Sequence, residues 1–344
     1  MRPAILTPAD GGAALPGVPA ARSMPGAAVQ ASMNEGPVSS ALRAPACPDC
    51  GAPDAASVGR LPDVPYFAGR RLAAPLAGGT LQRCRRCDLR FRHPLLGDER
   101  YAALYDNGSD DAWSVDALRS DQQRVLALVA QRLREARGPL ALLDFGCYAG
   151  AFLAALPAGA ERYGVEVNAA AAAQAVRRAA ARVECSLDAF EPERRFDVIV
   201  AMDVVEHLPS PRALLARLLA RLNPGGLLVL TTGDGGNWLA RAAGARWWYW
   251  YFPEHIAFIS RRWLDWHLPR LGARLLQAER FDYLTPDALG AARWRAFAKY
   301  LLRPAHHAAK RRRRWQQGEP DQGVPGIGLT ADHLLVALTQ SAPS

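Results

Sequence analysis

The chain has 344 residues, and half of them are hydrophobic, which is enough to bury a sizeable core. The formal net charge is +9. Nine basic residues and one acid lie between Thr285 and Gln317, so a basic surface over the whole protein is not expected. No run approaches the ~20 apolar residues of a membrane span, and the N-terminus lacks the apolar core of a signal peptide, so we expect a cytoplasmic protein.

The first two predicted segments differ in composition. Residues 1–44 are rich in Ala, Pro, Gly and Ser without a periodic apolar pattern, which predicts a disordered tail. Residues 45–97 contain two C-x-x-C pairs, Cys47 with Cys50 and Cys84 with Cys87. Two such pairs supply the four thiolates of a structural zinc site, so this segment is predicted to be a small zinc-ribbon-like module. An iron–sulfur centre or a metal-free thiol module is the alternative.

The rest of the chain alternates between helical and strand patterns. Residues 98–138 are predicted to be a helical linker, and 139–284 the main α/β domain. Strands are expected at 140–144, 162–166, 182–185, 196–201, 226–232 and 273–282, and helices at 150–156, 168–180, 210–221 and 260–270. Short apolar strands that alternate with helices predict a parallel sheet covered on both faces. Residues 331–344 hold the last strand, at 333–339, which we expect to run antiparallel.

One glycine turn carries the clearest ligand signal. Asp144-Phe-Gly146-Cys-Tyr148-Ala-Gly150 follows the first predicted strand of this domain, and Glu166 ends the next. Such a turn exposes backbone N–H groups, and an acid at the neighbouring strand end offers acceptors to ribose hydroxyls. This arrangement predicts a site for an adenosine-type ligand. Tyr148 stands where glycine is more usual.

Two further motifs narrow that prediction. Asp203-Val-Val-Glu206-His207-Leu-Pro209 follows the fourth strand, and Asn223-Pro-Gly225-Gly226 precedes the fifth. With the glycine turn, they make residues 120–340 resemble the class I S-adenosylmethionine-dependent methyltransferases, whereas G-x-G-x-x-G spacing for NAD is missing. The resemblance implies a Rossmann-like, seven-stranded sheet that binds S-adenosylmethionine. It also implies these cofactor-binding residues: Asp144, Gly146, Tyr148, Gly150, Glu166, Ser186, Leu187, Met202 and Asp203.

A run of six aromatic residues, Trp247 to Phe252, precedes Glu254-His255. The run is interpreted as a wall of the acceptor pocket, as a plug against the N-terminal module, or as both. A zinc-binding module before a methyltransferase domain resembles the sugar C-methyltransferases and their relatives from polysaccharide gene clusters, which carry a Glu-His pair at the acceptor. We therefore expect His255 to act as general base with help from Glu254. His207 is a second candidate for the base.

The basic segment suggests a partner. Residues 285–330 are predicted to be a helical insertion, in which 291–315 combines arginines with aromatics and suits an anionic membrane at the inner face. Nucleic acid is less favoured, because the charge is confined to one insertion. The sequence thus predicts methyl transfer to carbon or oxygen of a small molecule, most simply a sugar nucleotide or glycan precursor. The alternatives are an RNA or protein methyltransferase and a non-catalytic binding module.

Overall fold

A computed structural model describes residues 45–53, 55–106, 118–282, 295, 298–299, 302–317 and 331–341. The predicted tail at 1–44, and much of the predicted helical insertion at 285–330, lie outside these residues. Within the described part, no helix has the length and apolarity needed to cross a bilayer.

Thirteen strands and eight α-helices occur in the described part. The strands are β1 (Ala55–Arg60), β2 (Val64–Phe67), β3 (Arg70–Leu76), β4 (Thr80–Cys84), β5 (Arg90–His93), β6 (Leu140–Phe145), β7 (Ala160–Val165), β8 (Arg182–Glu184), β9 (Phe196–Met202), β10 (Leu222–Gly233), β11 (Ala257–Phe258), β12 (Ala273–Phe281) and β13 (His333–Gln340). The helices are α1 (Asp98–Asp106), α2 (Ser120–Glu135), α3 (Ala151–Ala155), α4 (Ala169–Ala179), α5 (Pro211–Ala220), α6 (Trp238–Ala243), α7 (Arg261–His267) and α8 (Pro304–Gln316).

Seven strands form the larger sheet, in the order β12-β13-β10-β9-β6-β7-β8. The neighbours from β10 to β8 are parallel, and the central strand β9 is almost wholly apolar and buried, as expected for a strand covered on both faces. The last strand, β13, is antiparallel to both β10 and β12, which confirms its predicted direction. It lies between these two strands and not at the sheet edge.

Polar side chains cap three of the helices. Asn168 accepts a hydrogen bond from the backbone N–H of Ala171 at the start of α4, and Ser210 and Ser260 cap α5 and α7 in the same way. Helix α2, in the segment predicted to be a linker, packs on the larger sheet. Its residues Val125 and Val129 are completely buried in one apolar cluster with the strand residues. This helix is therefore part of the layered core.

The segment 45–97, here called the cysteine module, has a small antiparallel sheet in the order β1-β4-β5-β11. Its fourth strand, β11, comes from the main domain and pairs Ala257 with Phe91. A separate hairpin is formed by β2 and β3. The small sheet is thus completed by a strand that lies far along the chain.

Candidate functional site

The predicted glycine turn lies at the carboxyl end of β6. Gly146, Tyr148 and Gly150 all have positive φ, at 84°, 44° and 75°. A left-handed backbone is strained for a side chain with a Cβ atom, which explains why glycine is more usual at position 148. The Tyr148 N–H donates to Glu166 Oε2 at 2.9 Å, and the Asn168 N–H donates to Glu166 Oε1 at 2.8 Å. The turn and the acid after β7 are therefore joined directly.

The two glycines also serve packing inside the protein. A Cβ atom on Gly150 would lie 2.8 Å from Ala175 of α4, and one on Gly146 would lie 2.7 Å from a methyl group of Val204. Both distances are too short for real atoms, so a larger residue would push the turn away from its neighbours.

Acidic side chains gather beside this turn. Asp144 is 2% exposed, and its Oδ1 atom has no hydrogen-bond partner among the described residues. Burial, followed by the nearby charge of Glu166, raises the pKa of Asp144 to about 7. Burial also raises the pKa of Glu166. The local excess of carboxylates favours a cationic ligand.

Two residues that the sequence did not single out complete this group. Arg119 precedes α2, and its Nη2 atom lies 2.8 Å from Asp121 Oδ2 and 3.1 Å from Asp203 Oδ2. Asp121 is completely buried and also accepts a hydrogen bond from Thr231 Oγ1 at 3.3 Å. Asp203 follows β9 with a positive φ of 52°. No sequence motif indicates that Arg119 or Asp121 belongs to the site, because these residues approach Asp203 only in the folded chain.

The site fits S-adenosylmethionine, judged by its donor and acceptor chemistry. This ligand carries an ammonium and a sulfonium charge, and the unpartnered Oδ1 atom of Asp144 is a ready acceptor for an ammonium group. The other predicted cofactor residues are placed as follows. Ser186 is exposed beyond β8, Leu187 is 2% exposed within the core, and Met202 is 8% exposed at the end of β9.

Next to Asp203 lies a second group, here called the histidine cluster, made of Glu206, His207, Tyr249 and His255. Glu206 is completely buried, accepts from Thr232 Oγ1 at 2.9 Å, and accepts from the Tyr249 hydroxyl through a short hydrogen bond. The rings of His207 and His255 meet edge to face at 4.9 Å. His255 also stacks at 4.5 Å on Tyr249. The two predicted histidines are therefore brought together.

The surroundings of the two histidines differ. His207 Nδ1 lies 2.8 Å from the Tyr105 hydroxyl, and the Glu254 backbone also hydrogen-bonds the ring. His255 has one contact of 3.4 Å between Nδ1 and the Tyr249 carbonyl. Burial lowers the pKa of His207 to about 4. Burial, and then His207, lower the pKa of His255 well below its ordinary value, so both rings are neutral at pH 7.

The histidine cluster has donor atoms suited to proton transfer or to a cation. One donor atom each from Glu206, His207 and His255 lies within 4.8 Å of the others, which is a set that can hold a divalent metal. Burial, and then the charge of Asp203, raise the pKa of Glu206 to about 7. This carboxyl can therefore change its protonation state near neutral pH.

Glu254 points toward the cysteine module. It is 7% exposed, and its Oε2 atom has no hydrogen-bond partner among the described residues. Its carboxylate interacts with the backbone of Ala68 and with the charge of Arg92. Burial outweighs both effects and raises the pKa of Glu254 to about 7. The Glu254 carboxylate thus lies on the side of His255 that faces the cysteine module.

The aromatic run packs in both of the ways considered from sequence. Trp247 and Trp250 are completely buried and share an apolar cluster with Leu61 and Leu81 of the cysteine module. On the other side, the rings of Tyr249 and Phe252 lie 4.5 Å and 5.0 Å from the ring of His255. One segment therefore joins the cysteine module to the histidine cluster.

The four predicted metal-ligand cysteines come together. Cys47 Sγ lies 3.6 Å from Cys87 Sγ, Cys50 Sγ lies 3.5 Å from Cys84 Sγ, and all four sulfurs lie within 4.8 Å. A tetrahedral zinc centre with Zn–S bonds of ~2.3 Å needs sulfurs about 3.8 Å apart. Hydrogen bonding with Cys47, and then burial, raise the pKa of Cys87. The spacing of the four sulfurs is compatible with a tetrahedral centre of four thiolates.

Comparison with known proteins agrees with the fold. Residues 118–278 match a family described as "Methyltransferase domain". The matched segment contains the glycine turn and most of the parallel strands, and it is similar to methyltransferase domains.

Similar proteins were found by sequence and by structure. A ubiquinone biosynthesis O-methyltransferase of Bradyrhizobium sp. (strain ORS 278) is 37% identical over 170 residues, which are 47% of this chain and 56% of that protein. One from Rhodopseudomonas palustris (strain BisB18) is 34% identical over 106 residues, 29% of this chain and 41% of the relative. The chain spans about half the length of the relatives it matches. The N-methyltransferase NodS of Bradyrhizobium japonicum WM9, in complex with S-adenosyl-L-homocysteine, is 16% identical with a TM-score of 0.43, covering 72% of this chain and all of that one.

Proposed function

We propose that this protein is an enzyme that transfers the methyl group of S-adenosylmethionine to a hydroxyl oxygen of a small molecule. The observation that carries the proposal is the meeting of two groups at the carboxyl ends of the parallel strands. One group is the buried carboxylates with an unpartnered acceptor, Asp144 Oδ1, and the other is the histidine cluster with its two neutral rings. The charge of Asp203, in the first group, acts on Glu206 in the second. Relatives named as O-methyltransferases of ubiquinone biosynthesis support oxygen as the accepting atom.

The proposed roles on the cofactor side follow from charge and position. Bound S-adenosylmethionine supplies an electrophilic methyl group. Asp144 accepts a hydrogen bond from the ammonium group, and Glu166, fixed by two backbone N–H groups, offers its remaining lone pairs to the ribose hydroxyls. Arg119 holds Asp121 and Asp203 in place and limits the repulsion between them.

On the acceptor side, His255 is the proposed base. Its ring is neutral and half-buried, and among the described residues its one hydrogen bond is long, whereas His207 is held by Tyr105. His255 takes the hydroxyl proton as the acceptor oxygen forms its new bond to the methyl carbon and the bond from that carbon to sulfur breaks. Tyr249 and Phe252 beside His255 provide apolar surface that keeps water from the reacting atoms.

A sugar or glycan precursor is the second candidate acceptor. It is favoured by Glu254-His255 together with the preceding cysteine module, the combination for which the sequence resembles sugar C-methyltransferases. The Oε2 atom of buried Glu254 has no partner among the described residues and would accept a hydrogen bond from a sugar hydroxyl that reached it. The sugar acceptor is placed second because the Glu254 carboxylate already interacts with the backbone of Ala68 in the cysteine module.

We also propose that Cys47, Cys50, Cys84 and Cys87 hold one structural zinc ion. The support is the sulfur spacing and the need to neutralise closely packed thiolates. Elemental analysis of the purified protein should give about one zinc per chain. Cys84→Ser should lose it, whereas Cys185→Ser, which changes an exposed cysteine, should retain it. Zinc-free wild type that is fully folded would contradict this assignment.

Contact with an anionic membrane is proposed for α8. Arg311 and Trp315 face the protein, where Arg311 lies 4.2 Å over the Tyr251 ring, while Lys310, Arg312 and Arg313 are exposed. A basic outer face suits anionic lipid. Wild type should sediment together with vesicles of phosphatidylglycerol. The double variant Arg312→Glu/Arg313→Glu should bind these vesicles more weakly. No difference between these proteins, or equal binding to neutral vesicles, would remove the proposal.

Two measurements test the proposed function. Titration calorimetry should show binding of S-adenosyl-L-homocysteine, and failure to bind would refute a methyltransferase role. Labelled S-adenosylmethionine is then incubated with a phenol, a catechol and a nucleotide-linked ketosugar. Label transferred to oxygen of a phenolic acceptor supports the main proposal, and label on the ketosugar supports the second candidate. Label transferred only to RNA or protein would overturn both.

A further inference from the structure

We propose that the cysteine module positions the histidine cluster, and that Arg92 is the residue through which it does so. This inference rests on the proposed function and goes beyond a folding role for the metal centre. The module would hold the acceptor side in its working geometry, while the described supports of the cofactor side lie outside the module.

The first cysteine pair is tied to α5. Asp49 lies between Cys47 and Cys50, and its Oδ1 atom accepts from Ser210 Oγ at 2.7 Å and from the Arg212 N–H at 3.2 Å. Its Oδ2 atom accepts from Trp263 Nε1 at 2.7 Å. Ser210 immediately follows the segment that carries Glu206 and His207, so this link fixes the end of that segment.

The second cysteine pair makes a parallel connection to α7. Asp88 follows Cys87, and its Oδ2 atom accepts from Ser260 Oγ at 2.7 Å. Ser260 caps α7 and lies just after the segment that carries Tyr249 and His255. Each cysteine pair therefore places an aspartate on the capping serine of a helix in the main domain.

Arg92 provides the most direct path to the histidine cluster. It lies on β5, is 4% exposed, and donates from Nη2 to the carbonyls of Trp250 at 2.7 Å and Phe252 at 3.2 Å. Its Nη1 atom donates to the Gly78 carbonyl at 2.7 Å. A planar guanidinium can satisfy several carbonyls at once, which an ammonium group cannot do in the same geometry. In addition to its apolar contacts, the aromatic run is thus hydrogen-bonded to the module through one buried side chain.

The backbone continues this path. The Arg92 N–H donates to the Ile256 carbonyl at 2.9 Å, and the Ile256 N–H donates to the Glu206 carbonyl at 2.8 Å. Three hydrogen-bonded segments therefore lie side by side, namely β5, the strand β11 with its preceding residue, and the segment that carries Glu206. A shift of β5 would therefore displace Glu206 and also His255, which precedes Ile256 in the chain.

The cofactor side has different supports. Glu166 is held by the N–H groups of Tyr148 and Asn168, and Asp203 by Arg119. None of these residues belongs to the cysteine module. Loosening the module should therefore disturb the acceptor side and leave cofactor binding intact, which a general loss of folding would not do.

The test compares Arg92→Met and Arg92→Lys with wild type, with Arg71→Met as the control because Arg71 is an exposed arginine of the same module. Hydrogen exchange is followed by mass spectrometry over residues 205–208 and 249–258, and the Kd for S-adenosyl-L-homocysteine is measured in parallel. For Arg92→Met we expect exchange in both segments to be about tenfold faster or more, because charged hydrogen bonds are lost, with Kd within about twofold of wild type. Arg92→Lys should fall between the two, and Arg71→Met should match wild type.

Two further arms guard against a variant that does not fold. Ser260→Ala removes the link to Asp88 together with the cap of α7, and incubation of wild type with a chelator removes the metal. Both should speed exchange in the same two segments. With an acceptor from the labelling assay, kcat should fall in each case while KM for S-adenosylmethionine stays unchanged.

The possible outcomes are distinct. Unchanged exchange in Arg92→Met, Ser260→Ala and chelated protein would overturn the positioning role. A parallel loss of S-adenosyl-L-homocysteine binding would also overturn it, because the effect would then be general. Wild type that does not bind S-adenosyl-L-homocysteine would refute the proposed function instead, and the exchange data would still decide the positioning role.

Discussion

Replacing Asp144 with asparagine separates binding from stability. The carboxylate is buried, has an Oδ1 atom without a partner among the described residues, and has a pKa raised from 3.8 to about 7. The folded protein therefore holds a proton on Asp144 more tightly than the unfolded chain does. Stability is lost as the pH rises from about 4 to 7, and the shift of about three units corresponds to a ceiling of about 4 kcal/mol.

Asp144→Asn keeps the shape and removes the charge. We expect the ligand-free variant to be more stable than wild type at pH 8 by about 1–3 kcal/mol, after allowing for an unpaired amide N–H2. Binding should change in the opposite direction. Loss of a charge-assisted hydrogen bond to the ammonium group costs about 1.5–3 kcal/mol, which raises the Kd for S-adenosyl-L-homocysteine about 10- to 150-fold.

The assays are calorimetric titration with S-adenosyl-L-homocysteine and urea unfolding at pH 5 and pH 8. Asp265→Asn is the control, because Asp265 forms an exposed pair with Arg261 and lies on α7. It should change neither quantity appreciably. If Asp144→Asn binds the ligand within about threefold of wild type, the ammonium group does not lie at Asp144 and the reasoning from the unpartnered oxygen fails.

Three other substitutions test the histidine cluster. His255→Ala should lower kcat by about 10²- to 10⁴-fold with unchanged S-adenosyl-L-homocysteine binding, and near-normal turnover would show that His255 is not the base. Because the pKa of His207 is lowered from 6.5 to about 4, the wild type should lose about 3 kcal/mol of stability as the pH falls through this range. In urea unfolding, the free energy of unfolding of His207→Gln should fall less between pH 7 and pH 4.5 than that of wild type. Equal falls would contradict the argument that burial lowers this pKa. Glu206→Gln cannot accept from both Tyr249 and Thr232, so its free energy of unfolding should fall by about 1–3 kcal/mol, and an unchanged value would show that these bonds add nothing.

Much of the larger sheet was predictable because its signals are local. The apolar run at 196–201 and the glycine turn at 144–150 each specify a strand or a turn through neighbouring residues, and the structure has β9 at Phe196–Met202. The cap at Asn168 is local in the same sense. The four cysteines were recognisable from their spacing alone, and the structure brings them together.

The parts that were not predicted depend on distant contacts. Arg119 meets Asp203 through folding alone, and no pattern in either segment indicates the pair. The short bond between Tyr249 and Glu206 joins positions 43 residues apart. Tyr148 was recognised as unusual, but its positive φ is a property of the folded turn. Sequence patterns report which face of an element is buried, and they do not report which side chains meet across elements.

The strand β11 has a consequence for synthesis of the chain. Asp88 and its partner Ser260 are 172 residues apart, and β5 pairs with β11 across a similar distance. At translation rates of about 5–20 residues per second, the cysteine module waits roughly 10–30 s for the strand that completes its sheet. During that interval the edge of β5 and the apolar side chains of Leu61 and Leu81 lack their later partners. Early capture of a metal ion by the cysteines would restrain this segment while it waits.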